Sequence, residues 1–426
     1  MQTELFIGGE WVDGLDGASI KVRDPHDGSL LAEVAEARAA DVDRAVQAAR
    51  TAFGSWRHTT AEERGRLLLR LADLIEAHGD ELALLETRDT GHPIRDTRGL
   101  DVPRTAATFR SFGGMADKHQ GSVVPVERGF LDYVLREPIG VVGQIVPWNF
   151  PLMFTSWKMG PALAAGNTVV LKPSELTPLS TLRVAELMTE VGFPPGVVNV
   201  VTGYGTTAGR RIAEHPGIGK VSFTGSTAVG RSVLAASAGN LKKVQLELGD
   251  PKDPATEMGP LTSPGHRDRV LSYMEVAVAD GDEIVIGGKA PEAAELASGC
   301  YLEPTVVATQ AGHRIAREEV FGPVVAVQRF RTEDEALRIA NGTDYGLGAG
   351  LWTRDLSRAH RVAHELRAGM VWVNSYKRVN PGSPFGGVGQ SGFGREMGFE
   401  AMQEYTDAKA VWINYGAQLP ARYTDA

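Results

Sequence analysis

The sequence predicts an α/β fold: a parallel sheet with helices on both faces, a second and smaller α/β unit, and a separate strand hairpin. Three observations carry this. First, five short apolar runs, Val141–Val146, Thr168–Leu171, Val197–Val201, Lys220–Phe223 and Lys243–Leu248, are separated by helical stretches near Thr155–Ala164, Pro178–Val191, Gly205–His215 and Ser226–Ala236. Strand–helix alternation of this kind favours parallel strands joined by crossovers. Second, the runs are continuously apolar rather than alternating, as strands buried on both faces are. Third, helices and strands continue beyond Asp250, so a second α/β unit follows.

Each remaining element has its own signal. Leu5–Ile7 and Glu10–Val12 flank Gly8-Gly9, a two-residue hairpin turn. Val42, Ala45, Val46, Ala49 and Phe53 recur at helical spacing within Ala40–Phe53. Thr60 with Glu63 forms a capping box that opens a helix whose apolar face is Leu67, Leu68, Leu71, Leu74 and Ile75. Ser122–Val126 and Asp132–Glu137 form a strand pair around Gly129. In the second half, Val270–Ala279, Thr332–Asn341 and Asp355–Leu366 are predicted helices. Glu283–Ile286, Tyr301–Val307, Gly348–Trp352 and Met370–Asn374 are predicted strands, and Lys409–Asn414 is the last one. The end, Ala417 to Ala426, is expected to fray.

Composition excludes several classes of function. The 426 residues suffice for two or three domains, and a 42% hydrophobic content supplies a sizeable core. No apolar run is long enough to span a membrane, and the first residues lack the blocks of a signal peptide. A net charge of −9 without a basic cluster argues against nucleic acid. Cys300 is the single cysteine, so no intrachain disulfide forms, and a reducing cytoplasm is expected. No Cys/His set has metal-ligand spacing, so no metal is expected, and the ten His read as structural or solvated.

The chemistry concentrates in Lys220–Pro260. The run Thr224-Gly225-Ser226-Thr227-Ala228-Val229-Gly230 turns from a strand into a helix, which makes an anion site: free amides and the helix dipole face the ligand, and glycine lets a phosphate approach. This stretch, with LELG at Leu246–Gly249, resembles the aldehyde dehydrogenase superfamily. PWNFP (Pro147–Pro151), LKPSE (Leu171–Glu175), EEVFGP (Glu318–Pro323) and PFGGVGQSGFGRE (Pro384–Glu396) stand in that family's order. The likeness covers nearly the whole chain.

The resemblance implies a Rossmann-like NAD-binding domain over 1–120 and 139–249, a catalytic domain over 250–404, and oligomerisation strands with a tail over 121–138 and 405–426. It implies a homodimer or homotetramer, an aldehyde as substrate, and neither nucleic acid nor membrane as partner. NAD is the implied cofactor rather than NADP. Lys172 and Glu175 are implied ribose contacts, and the Glu175 carboxylate would repel a 2′-phosphate. Gly225 and Ser226 are implied pyrophosphate contacts, with Val229, Ile145, Pro147, Trp148, Gly205 and Gly209 lining the same cofactor site. Glu319 and Phe321 are implied contacts to the nicotinamide ribose and ring. Asn149 is the implied oxyanion donor. Glu247, in apolar surroundings that raise a carboxyl pKa, is the implied general base.

One feature departs from the family. There, a long segment bearing the nucleophilic cysteine separates LELG from the run resembling DPKDPATEMGPL; here Gly249 runs directly into Asp250. A piece of roughly 70 residues, about the lower size of a domain, is absent. Cys300 lies in a stretch that resembles a structural strand and is not expected to replace the nucleophile. The catalytic domain is therefore expected to be truncated and dehydrogenase activity to be lost or strongly reduced. Three readings stay open: a cofactor-binding pseudoenzyme acting as a structural or regulatory subunit, an oxidoreductase using another nucleophile, and an internally deleted gene product.

Overall fold

In the computed structural model, residues 2–247, 260–292, 296 and 299–416 are described. The expected join at Gly249–Asp250 and the expected frayed end lie outside them. An eight-stranded sheet dominates, in the order Gly392–Phe393, Lys243–Glu247, Lys220–Thr224, Val141–Ile145, Thr168–Lys172, Val198–Val200, Leu5–Ile7, Glu10–Val12. Its five middle strands are the five apolar runs of the sequence, and all are parallel. Val169 and Leu171 pack into the core on one face of the sheet, Val170 into the core on the other. That is the two-residue period of a strand covered on both sides.

Both ends of this sheet differ from a purely parallel expectation. The N-terminal hairpin adds antiparallel to Val198–Val200 through Phe6, and Gly392–Phe393 adds antiparallel to Lys243–Glu247. Antiparallel strands need no crossover helix, so distant parts of the chain can close the sheet edges. Gly8 and Gly9, at φ 68° and 89°, supply the left-handed turn between the first two strands.

Some element boundaries move for simple reasons. The helix expected from Thr155 starts at Pro151, since proline is tolerated in a helix's first turn. All fourteen of its residues are buried. The stretch Gly205–His215 opens as a π turn, Gly205–Gly209, before the helix Arg210–Glu214. The strand expected from Tyr301 begins at Thr305, just after Pro304, which has no N–H to pair. The last strand runs from Thr406 to Asn414 and pairs with Phe130–Pro138 along its whole length, with Ser122–Val124 on the far side.

The second half is less consolidated. Glu283–Ile286, Thr305–Ala308 and Val324–Val327 form one small sheet, and Gly348–Leu351 with Met370–Val373 form another. Among the described residues, the apolar core beside the first of these sheets is confined to a few residues around Val270, Met274, Val307 and Val324, and the second sheet adds none to it. Between the two sheets lies a cavity of about 810 Å³, lined by Val324 and Ala326 from one and by Gly348 and Trp372 from the other.

Candidate cofactor and active site

Strand register assembles the motifs. Ile145 stands beside both Lys172 and Phe223, and Thr224 stands beside Glu247. Pro147–Asn149, Glu175 and Gly225-Ser226 therefore leave the carboxyl ends of neighbouring parallel strands, where ligands of open α/β sheets bind. Ser226 caps the helix Thr227–Ser237, its hydroxyl accepting from the Val229 amide at 3.4 Å. That helix carries no acidic residue in its first turn. A Cβ at Gly225 would meet the Phe223 ring at 2.6 Å, so any side chain there would force the ring or the turn to shift. Val229 is exposed on the first turn, and Gly205 faces open space. Gly209 packs against the Lys172 stem and Ile145.

Lys172 is buried and donates to the carbonyls of Gly203 at 2.7 Å and Pro173 at 2.8 Å and to Glu175 Oε2 at 3.2 Å. Burial pulls its ammonium pKa down, and the Glu175 charge opposes that shift. All three donors are thus engaged within the protein. Glu175 keeps 31% of its side chain exposed, so its carboxylate is the open half of the pair.

Two motifs more than 150 residues apart meet at an aromatic cluster. The Trp148 ring lies 5.0 Å from Phe321 in a T-shaped contact and 4.7 Å from His266. His266 Nε2 stands 2.5 Å from the Phe321 carbonyl oxygen. Phe321 holds φ at 55°, a left-handed conformation uncommon for a bulky residue, with its ring against Trp148 and His266. The Glu319 carbonyl accepts from Arg269 at 2.9 Å, and Glu319 lines the large cavity with Phe150, Met153, Trp157 and Phe385. Asn149 is 5% exposed, and its Oδ1 is buried without a hydrogen-bond partner.

Glu247 ends its strand between Thr224 and Gly392; its side chain lies outside the described residues. Cys300 is elsewhere. Its amide donates to Pro25 and its carbonyl accepts from Leu261, in a seam with the N-terminal loop. Burial pushes its thiol pKa up, which lowers the thiolate fraction a nucleophile needs.

Sequence reasoning passed over a buried ion pair next to this region. Lys158 Nζ stands 2.5 Å from Glu396 Oε1 and 3.2 Å from Ser222 Oγ, with both charged side chains at most 1% exposed. The available signal was a lone cation in the apolar run Leu152–Ala164, since a buried charge needs a partner.

Comparison with known proteins adds to this geometry. The model of the Aldehyde dehydrogenase family matches residues 11–250 and 247–411, two stretches that meet at 247–250. Retinal dehydrogenase 2 of Homo sapiens is 40% identical over 478 positions, covering 96% of this chain and 92% of the relative. The NADP/NAD-dependent aldehyde dehydrogenase PuuC of Escherichia coli is 39% identical over 483 positions, covering 98% and 97%. Both alignments are longer than the 426 residues of this chain, so each relative carries residues without a counterpart here. The crystal structure of PnpE from Pseudomonas sp. WBC-3 superposes with a TM-score of 0.97 at 56% identity, covering all of both chains. PnpE has also been solved with nicotinamide adenine dinucleotide, matching with a TM-score of 0.96 over 99% of this chain and 100% of that one.

Proposed function

The chain belongs to the aldehyde dehydrogenase family, and on that footing we propose that it binds NAD and aldehydes but lacks the nucleophile for family-typical aldehyde oxidation. The residues present fit a dinucleotide. The helix terminus at Ser226 is exposed, carries no acidic residue in its first turn, and is approached over a glycine whose Cβ would crowd the Phe223 ring. Glu175 would accept the adenine-ribose hydroxyls, and Lys172 would hold the strand end to which Glu175 is tethered. Ile145, Pro147, Gly205, Gly209 and Val229 would line the adenosine side. Trp148, Glu319 and Phe321 would orient the nicotinamide side. When bound, NAD supplies a hydride acceptor.

Asn149 would donate its amide to a developing oxyanion, and Glu247 would take a proton from water at the strand end. Neither forms the covalent adduct that the family's chemistry requires. The observation that carries the proposal is the match in two stretches meeting at 247–250, in a chain whose one cysteine is buried in another seam. The divided sheets of the second half and the cavity between them agree with a truncated catalytic unit.

A second reading, a cofactor-binding subunit in a cytoplasmic homodimer or homotetramer, is favoured by the sheet of Thr406–Asn414, Phe130–Pro138 and Ser122–Val124. Among the described residues this sheet has three strands, and it exposes Val123, Leu135, Trp412 and Ile413. Steady-state NADH production on aliphatic, aromatic and amino aldehydes, for the native chain and Cys300→Ser, tests the main proposal alongside NAD titration. The expected result is bound NAD without turnover in either protein. Robust turnover in both would overturn it by requiring another nucleophile, and turnover lost only in Cys300→Ser would assign that role to Cys300.

A further inference from the structure

We propose that Asp280, Asp282 and His313 form a binding site for one borderline divalent cation, with Zn²⁺ as its best occupant. The three residues offer ligand atoms that all lie within 4.8 Å of one another. Donors around a tetrahedral zinc, at about 2.0–2.2 Å from the metal, stand about 3.4 Å apart, so modest side-chain rotation brings this set into place.

The backbone holds the two carboxylates in a fixed relation. The helix Pro264–Ala279 ends with Asp280 N donating to Val276 O, Gly281 N to Val278 O and Asp282 N to Ala277 O. Gly281 turns the chain at φ 83°. His313 comes from the N-cap of the short helix Arg314–Arg317, with Nδ1 2.7 Å from Asp282 Oδ1.

The independent observation is the other oxygen of Asp282. The side chain is 1% exposed, yet Oδ2 is buried without a hydrogen-bond partner. A buried carboxylate oxygen left unsatisfied carries the desolvation penalty of the group, and a cation is one group that would satisfy it. The other two residues are open enough for water to complete the coordination shell: His313 is 28% exposed and Asp280 is exposed.

Donor chemistry selects the metal. One imidazole with two carboxylates suits Zn²⁺ or its first-row neighbours, whereas Mg²⁺ and Ca²⁺ prefer all-oxygen shells of six or more ligands. Sequence reasoning found no metal set because it sought Cys/His spacing. This group couples an Asp-Gly-Asp turn to a histidine on a separate helix. An ion there would tie the helix carrying Val270 and Met274 to the one carrying Ile315, across the small second core.

The test is zinc titration of the full chain by calorimetry, with thermal melts, for the native protein, Asp282→Asn and His313→Gln. Mg²⁺ and Ca²⁺ serve as comparison ions. One zinc per chain and a raised melting temperature are expected. Loss of a mere second-shell partner weakens metal binding about 10–100-fold, so each ligand variant should weaken zinc at least about tenfold. Both variants are near-isosteric, and circular dichroism without metal confirms that they fold. Absence of zinc binding, equal binding by Mg²⁺, or zinc retained at full affinity in both variants would overturn the proposal.

Discussion

Lys158 and Glu396, 238 residues apart in sequence, form an ion pair 2.5 Å long with both side chains buried. The pair pins the helix after PWNF to the segment that follows Gly392–Phe393, the antiparallel edge of the main sheet. Removing one member strands the other charge away from water. Glu396→Ala is therefore expected to destabilise the fold by about 3–5 kcal/mol, whereas Glu396→Gln, which keeps an acceptor, should cost less. Urea denaturation of both variants checks the order; equal, small losses would refute it.

A cluster of buried acids sets the pH response. Glu86 accepts from the Leu152 amide and the Ser180 hydroxyl. Burial, and then the neighbouring Asp101 charge, raise its pKa to about 8. Burial also raises that of Asp89, which accepts from the Leu179 amide. A folded pKa above the unfolded value means that the stabilisation is complete below about pH 4.3 and is lost as pH rises toward 8. For Glu86 the slope is up to about 1.4 kcal/mol per pH unit within that window. Melting temperatures recorded across it should fall with rising pH, and Glu86→Gln should flatten the curve. An unchanged slope in the variant would remove Glu86 from the account.

The proposed cofactor choice rests on Glu175. NAD should bind more tightly than NADP, and Glu175→Ala should narrow the gap by relieving repulsion of the 2′-phosphate. Calorimetric titration with both cofactors decides; an NADP preference in the native protein would contradict the assignment.

The proposed assembly rests on the three-stranded sheet. The chain is expected to be at least a dimer in light scattering. Trp412→Glu, placing a charge on the exposed face of Thr406–Asn414, should shift it toward monomer. A soluble native monomer at micromolar concentration would count against this interface.

Much of the fold was legible because single local signals agreed with the tertiary outcome. The five apolar runs became the five parallel strands, and Thr60 with Glu63 made the capping box that their spacing announced. What was illegible depended on distant partners. Nothing near Gly392 announces an antiparallel strand, because two residues pairing with Leu246 and Glu247 carry no periodicity. The contact of Trp148 with Phe321 and His266 was implied only in part: the motifs pointed to one site, but His266 lies in neither motif. Glu396 stood inside a named motif while Lys158 was an unremarked residue of an expected helix, so the pair emerged only from the folded chain.

The pair of strands Gly348–Leu351 and Met370–Val373 contributes no fully buried residue, and an isolated two-stranded unit is marginal in water. Its amide protons should therefore exchange with solvent through local opening, while those of Val141–Ile145 and Thr168–Lys172 wait for global unfolding. The chain then has two thermal lives. The strand pair at the cavity is expected to come and go on a fast clock, beside a sheet that stays shut.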